Sequence, residues 1–284
     1  VGYFNHTLSS QEFTSANVDI SGTKASGFQW YHHNTADTGD ITLNADGTAT
    51  LTGSGEAQFE SIASQSTSPY YVGTAYGCGG YFEAEIAFDP TRIKSGYGYP
   101  AWWAMSVEHV ALRTTAQQWS GAATGYAHYA ELDFMEVIGS PAPSKPRYFT
   151  TVWDYSGING TTCTGWCTIG SANSNTTYVP PYTDFNLYHR VAALWVPATA
   201  SANGYFKFYF DDILVNSGVS WTQFTTQAPP ATASSSWLYG IVDQQHLVLM
   251  LGTGKDNSDK TGTGPMTVRS INVWQGSGAC NITY

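Results

Sequence analysis

The chain has 284 residues, of which only 11% are charged, and its formal net charge is −10. Phosphate binding needs a basic surface, so the charge excludes a nucleic-acid partner and disfavours an anionic membrane surface. Hydrophobic residues make up 42%, too many for a disordered polymer, and the length suits one all-β unit with a sizeable core.

Helical periodicity is nearly absent, and strand-like runs recur between Gly, Pro, Asn and Asp. Residues 41–51 read as a hairpin turning at 44–47. Over 81–88, Phe82, Ala84, Ile86 and Phe88 take one face, and Glu83 and Glu85 take the other. Residues 131–136 alternate Glu131 and Asp133 against Leu132 and Phe134. Val191, Ala193 and Trp195 share a face, as do Phe206, Phe208 and Phe210 ahead of a turn at Asp211 and Asp212. The stretch 227–236 is rich in Ala, Ser, Thr and Pro but too short to tether domains. The apolar run 246–251 suits a strand buried on both sides. Many short strands of this kind predict an all-β fold, a two-sheet antiparallel jelly-roll sandwich, with one domain over residues 1–284.

Four cysteines permit two disulfides: Cys163 with Cys167 around a short loop, and Cys78 with Cys280, tying an early strand to the C-terminus. A zinc site is the rival, weakened by the spacing and by the lack of a His cluster. Sequons begin at Asn5, Asn159, Asn175 and Asn281. With the low charge and even cysteine count they point to a secreted, extracellular glycoprotein. No signal peptide opens the chain and no apolar stretch reaches membrane-spanning length, so the numbering is expected to start at a mature terminus.

The sharpest signal is Glu131-Leu132-Asp133-Phe134-Met135-Glu136, three acids within six residues of an acid-poor chain. Glu136 lies five positions after Glu131, so a regular strand would turn it to the opposite face. A one-residue bulge at Phe134 and Met135 returns it to the acidic face. Two carboxyl groups brought ~5–5.5 Å apart suit a retaining glycosidase, one attacking carbon while the other protonates the leaving oxygen. A solvated acidic strand face would normally mix in Lys or Thr, whereas no Lys or Arg lies between Arg113 and Lys145. Calcium binding is the other bland reading, but calcium ligands usually come from loops.

The acidic run resembles the E-x-D-x-x-E motif of family sixteen glycoside hydrolases. The resemblance extends along nearly the whole chain. Tyr81-Phe82-Glu83-Ala84-Glu85-Ile86 is similar to that family's Y-G-x-F-E-A-R-I strand, and Tyr99-Pro100-Ala101-Trp102-Trp103 to its W-P-A-F-W. Residues 189–195, 208–212, 243–251 and 268–274 resemble its later strands in the same order. The resemblance implies a concanavalin-A-like jelly roll with a substrate cleft across a concave sheet, and retention by double displacement. By position, it makes Glu131 the nucleophile, Asp133 its helper, Glu136 the acid/base and Trp103 the cleft tryptophan, with Trp102 in the core. Trp153, Gln244 and His246 are further candidate sugar contacts. The substrate is expected to be a neutral β-linked polysaccharide, first a β-1,3- or mixed-linked glucan, cut internally by a monomer. No metal and no cofactor is expected; some relatives hold a structural calcium on the convex side, for which no clear ligand set is present.

The chain departs from the family pattern over 106–130, which is long and carries His109, Trp119, Tyr126 and His128. This bears on substrate identity more than on reaction type. Glu83 and Glu85 form a rival carboxylate pair, read as scaffold. A non-catalytic lectin-like jelly roll is the competing class, and a transglycosylase or a galactan- or β-1,6-glucan-active enzyme is a variant of the first. A lectin has no use for three carboxylates facing a neutral sugar. A polysaccharide lyase would need basic residues beside the motif, and none is there.

Overall fold

The computed structural model describes residues 5–10, 12–32, 41–52, 57–64, 70–93, 99–110, 126–139, 141–158, 173–223, 239–253 and 266–284. Among these, the first strands are β1 (Asn5–Ser10), β2 (Val18–Asp19), β3 (Trp30–His32), β4 (Ile41–Leu43), β5 (Ala49–Leu51), β6 (Ala57–Glu60) and β7 (Ile62–Ser64). The middle of the chain forms β8 (Tyr71–Gly77), β9 (Gly80–Phe88), β10 (Pro100–Ser106), β11 (Tyr126–Glu136), β12 (Arg147–Ile158) and β13 (Asn173–Tyr178). Then come β14 (His189–Val196), β15 (Gly204–Phe210), β16 (Ile213–Asn216), β17 (Ser220–Trp221), β18 (His246–Thr253), β19 (Met266–Gln275) and β20 (Ile282–Thr283).

These strands make two sheets. The first runs β16-β15-β14-β9-β19-β5-β4, with β1 also on β19 and β17 on β15. The second runs β13-β12-β11-β10-β18-β6-β3-β2, with β8 on β18 carrying β7 and β20. Pairing is antiparallel except between β2 and β3. The alternation in the sequence decides the inner faces. Phe82, Ala84 and Ile86 of β9, Val191, Ala193 and Trp195 of β14, and Phe206, Phe208 and Phe210 of β15 meet Trp102, Leu132 and Phe134 of the second sheet in one buried core. Fully burying such side chains stabilises by roughly 1.5–3 kcal/mol each.

The hairpin at 41–51 forms as expected, with Leu43 opposite Ala49 and Gly47 at φ 82° supplying the left-handed turn. Asp211 and Asp212, at φ 46° and 67°, turn β15 into β16. Strand β18 is buried from Leu247 onward, in keeping with its apolar run.

A second, smaller core lies on the outer face of the second sheet. Met105, Val107, Val248 and Met250 are covered there by Ile62 and Ala75, with Trp103, Tyr71 and Tyr284 packed at its margin. Strands β7, β8 and β20 thus form a flap over one end of that face. A disulfide between Cys78 and Cys280 clamps it, closing a sequence separation of 202 residues. A Cβ at Gly77 would sit 2.7 Å from Cys280 Sγ and 2.6 Å from the His246 ring, so glycine lets the flap seat. Cys163 and Cys167 lie outside the described residues.

Candidate active site

Strand β11 carries the bulge that the parity of the acids demands. Against β10, Trp102 pairs with Met135 and Trp103 with Asp133, leaving Phe134 as the extra residue. Against β12, Asp133 pairs with Thr151 and Glu136 with Phe149, so Phe134 and Met135 together face Thr150. Leu132, Phe134, Met135 and Val137 all enter the inter-sheet core. Phe134 stacks on Phe82 at 6.1 Å and meets Trp102 edge-on at 5.3 Å. With both bulge side chains buried, a one-residue slip would expose apolar rings and bury charge. The packing therefore holds Glu131, Asp133 and Glu136 together on the outer face.

There they line a cavity of about 200 Å³ with Gln58, Tyr99, Ala101, Trp103 and Gly252. Each acid has its own polar neighbour. The Tyr99 hydroxyl donates to Glu136 Oε1 at 3.0 Å. Trp153 Nε1 donates to Asp133 Oδ2 at 3.0 Å. The Tyr155 hydroxyl bonds Glu131, and the Tyr155 ring is stacked between Tyr129 at 5.0 Å and Trp153 at 5.8 Å. Asp133 is 3% exposed and hydrogen-bonds Glu136. Its partner is thus the residue beyond the bulge, not Glu131.

Burial sets the electrostatics. Desolvation, then the neighbouring Glu136 charge, pushes the Glu131 carboxyl up to about 7. Asp133 is raised well above the carboxylate range, first by burial and then by the charges of Glu136 and Glu131. Burial also raises Glu136, against the opposing hydrogen bonds of Tyr99, Asp133 and Thr151. Burial and mutual repulsion thus all push toward keeping a proton among the three carboxyl groups. A site with an ionised oxygen and a retained proton side by side can both attack an electrophilic carbon and protonate a leaving group.

The remaining predicted residues divide. Trp103 lines the cavity while Trp102 is buried behind it, as their alternation requires. Trp153 touches the site through Asp133. Gln244 is exposed and outside the cavity lining. Gln245 is buried, taking the Ser106 hydroxyl at 2.6 Å and donating to the His128 carbonyl at 2.8 Å, so it braces β10 against β11. His246 is also outside the lining: its Nδ1 faces Glu108 Oε1 at 2.7 Å. His128 points to the core side and meets Asp154 at 2.5 Å. His189 is held by Asp211 at 2.7 Å and stacked on Phe210 at 4.8 Å.

Among the sequons, Asn175 bonds Asn173 on β13, and the Asn281 amide donates to Gln275 while accepting from Gly77 N–H. Asn5 lies in β1, and Asn159 lies outside the described residues. No group of three or more His, Cys, Asp or Glu side chains placed to hold a metal ion occurs among the described residues.

Gln58, Tyr99 and Tyr155 are site residues that the sequence did not single out. Tyr99 was visible as the residue before Pro100 in the W-P-A-F-W-like run. For Gln58 the signal was alternation about Phe59, which is buried.

Fold and site together define a jelly-roll sandwich bearing three clustered carboxylates, Asp133 buried and Glu131 and Glu136 half-buried, on the outer face of one sheet. No family model and no curated sequence matches the chain. Solved structures do. An endo-1,3-β-glucanase from Streptomyces sioyaensis is 14% identical, with 99% of this chain and 97% of that one covered and a TM-score of 0.53. A structure from work on endo-acting O-glycanases, expressed by human gut microbiota to initiate mucin breakdown, is 12% identical. It covers 97% of this chain and 92% of its own, with a TM-score of 0.52. At such identities the likeness is one of fold: the chain has a jelly-roll fold like that of these two structures.

Proposed function

We propose that this chain is a secreted, endo-acting, retaining glycoside hydrolase, working as a single-domain monomer without a cofactor on a neutral β-linked polysaccharide. A β-1,3- or mixed-linked glucan is the first candidate. The observation that carries the reading is the β11 bulge, which turns three carboxylates into one cavity walled by Trp103, Tyr99 and Gln58. The aromatic walls suit the flat face of a sugar ring. The Cys78–Cys280 disulfide supports export to an oxidising compartment.

In the first step a Glu131 oxygen attacks the anomeric carbon. The glycosidic C–O bond breaks, and the proton shared by Asp133 and Glu136 passes from Glu136 to the leaving oxygen. Glu131 is left as a glycosyl ester. In the second step Glu136 takes a proton from water, whose oxygen attacks the same carbon and frees Glu131. Two inversions give net retention. A lectin would have to keep three mutually repelling, desolvated acids for no gain, which disfavours the binding-module reading.

The test is digestion of a polysaccharide panel (laminarin, lichenan, pustulan, galactan) with products identified by mass and linkage. Internal cutting of one β-linked glycan is expected. Binding without cleavage of any member would favour the lectin reading.

A further inference from the structure

The outer face of the first sheet carries another cavity, of about 490 Å³, lined by Tyr81, Glu83, Arg190, Leu194, Asp212 and Trp274. It lies on the opposite side of the sandwich from the acids of β11. Alternation puts it there. Phe82, Ala84, Val191, Ala193, Trp195 and Val273 point into the core, so their sequence neighbours point out. Leu194, Tyr81 and Trp274 sit in one row across β14, β9 and β19; Ala192, Glu83 and Asn272 form the next. Of the second row, Glu83 lines the cavity, beside Tyr81 and Trp274 of the first.

The walls are rings set at angles. Tyr81 meets Trp274 at 5.7 Å and 53°, and Tyr209 at 5.8 Å and 64°. On the same face Glu85 is paired with Arg269 at 2.8 Å, and Arg190 with Asp212. Glu83 differs. It is 7% exposed and makes no hydrogen bond with any described residue. Burial, the larger effect, pushes its carboxyl up to about 7, although the Arg190 charge opposes this. Glu83 lines the cavity, so its carboxyl is open to the hydroxyl groups of a ligand. Apolar walls with a few convergent polar groups mark a small-molecule site.

We propose that this hollow is a second glycan site, holding one or two sugar units of a neutral polysaccharide through ring stacking on Trp274 and Tyr81 and hydroxyl bonds to Glu83 and Arg190. The inference rests on the functional reading above and names an anchoring site for the same class of substrate. Glu83 and Asp212 outnumber Arg190, so an anionic glycan is disfavoured. Arg190 at the wall likewise disfavours a cationic ligand.

The test uses the full chain as Glu131→Gln, which cannot cut, with laminarihexaose in solution and curdlan particles as probes. Two sites per chain are expected by calorimetry. Adding Trp274→Ala should leave one site and weaken adsorption to curdlan at least tenfold. In the cutting-competent chain, Trp274→Ala should keep laminarihexaose hydrolysis within twofold while slowing release from curdlan at least fivefold. Glu83→Gln, which preserves shape, is the second variant should Trp274→Ala melt early; it should weaken adsorption in the same direction. Cleavage of glucan with a single binding site, or adsorption unchanged by both variants, would overturn this inference and leave the proposed function standing. Binding of choline in the hollow in place of glucan would also overturn it. If the unmutated chain neither cuts nor binds any glycan, the functional reading fails and this inference fails with it.

Discussion

Replacing Glu131 by Gln keeps the shape of the side chain but removes a charge that burial and Glu136 both oppose. Moving a carboxyl from its ordinary 4.5 to about 7 makes it cost on the order of 3 kcal/mol to hold ionised in the fold, at ~1.36 kcal/mol per pH unit. The folded chain binds this proton more tightly than the unfolded chain, so the fold loses stability as pH rises from 4.5 to about 7. Below that window the group is neutral in both states and the cost vanishes. Glu131→Gln should therefore melt with its parent near pH 4 and above it at pH 8. The gap should be roughly 6–12 °C, taking ~2–4 °C per kcal/mol for a chain of this size. Scanning calorimetry of both proteins across pH 4–8 measures this directly, and turnover by the variant should fall by several orders of magnitude. A gap that does not change with pH, or a parent that is the more stable at pH 8, would refute the reasoning. It would mean that water reaches Glu131 and its carboxyl is ordinary.

Three further outcomes are expected. Tyr99→Phe removes the hydroxyl that holds the Glu136 carboxyl down, so the alkaline limb of kcat/KM should move to higher pH; an unmoved or acid-shifted limb would exclude Glu136 as the group protonating the leaving oxygen. Replacing Cys78 and Cys280 together by Ser should cost about 2–5 kcal/mol of stability, because the bridge closes a loop of some 200 residues; denaturant melts with and without reductant check it, and an unchanged midpoint would show that the flap over Met105 and Met250 stands without its clamp. NMR of the earliest products from a β-linked glucan should show the β-anomer; initial α-product would mean inversion and a wider separation of the carboxyl groups.

Much of the sandwich was legible because its strands alternate cleanly. Phe82, Ala84 and Ile86, or Phe206, Phe208 and Phe210, could face only a core. The acidic strand was legible through a contradiction: Glu131 and Glu136 have opposite parity, and a bulge of two apolar residues is the local way to reconcile them. What escaped were contacts between distant strands. Gln58 reaches the cavity from β6 across β18 and β10, and the Tyr155 hydroxyl reaches Glu131 from the neighbouring β12. Their alternation was visible, but not the sheet that each would join. Gln244, the candidate sugar contact, lies outside the cavity lining for another reason. It ends a short 3-10 turn (Tyr239–Gln244) just before β18, where strand parity does not hold, so Gln244 faces solvent while the next residue, Gln245, is buried. His246 has the parity of Val248 and Met250, but Glu108, which takes its Nδ1, is 138 residues away in sequence.

The central claim is that the bulge sets Glu136 beside Glu131 as acid/base to its nucleophile, and azide rescue tests it most directly. In Glu136→Ala the first step should survive with an aryl β-glycoside, whose leaving group departs without a proton, while cleavage of the natural glycan should nearly cease. Hydrolysis of the glycosyl ester should then limit turnover, because no base remains to activate water. Added azide, which needs no base, should accelerate the reaction and yield a β-glycosyl azide. Equal loss on both substrates with no response to azide would contradict the claim. Glu136 would then have no part in proton transfer, and the bulge at Phe134 and Met135 would serve packing alone.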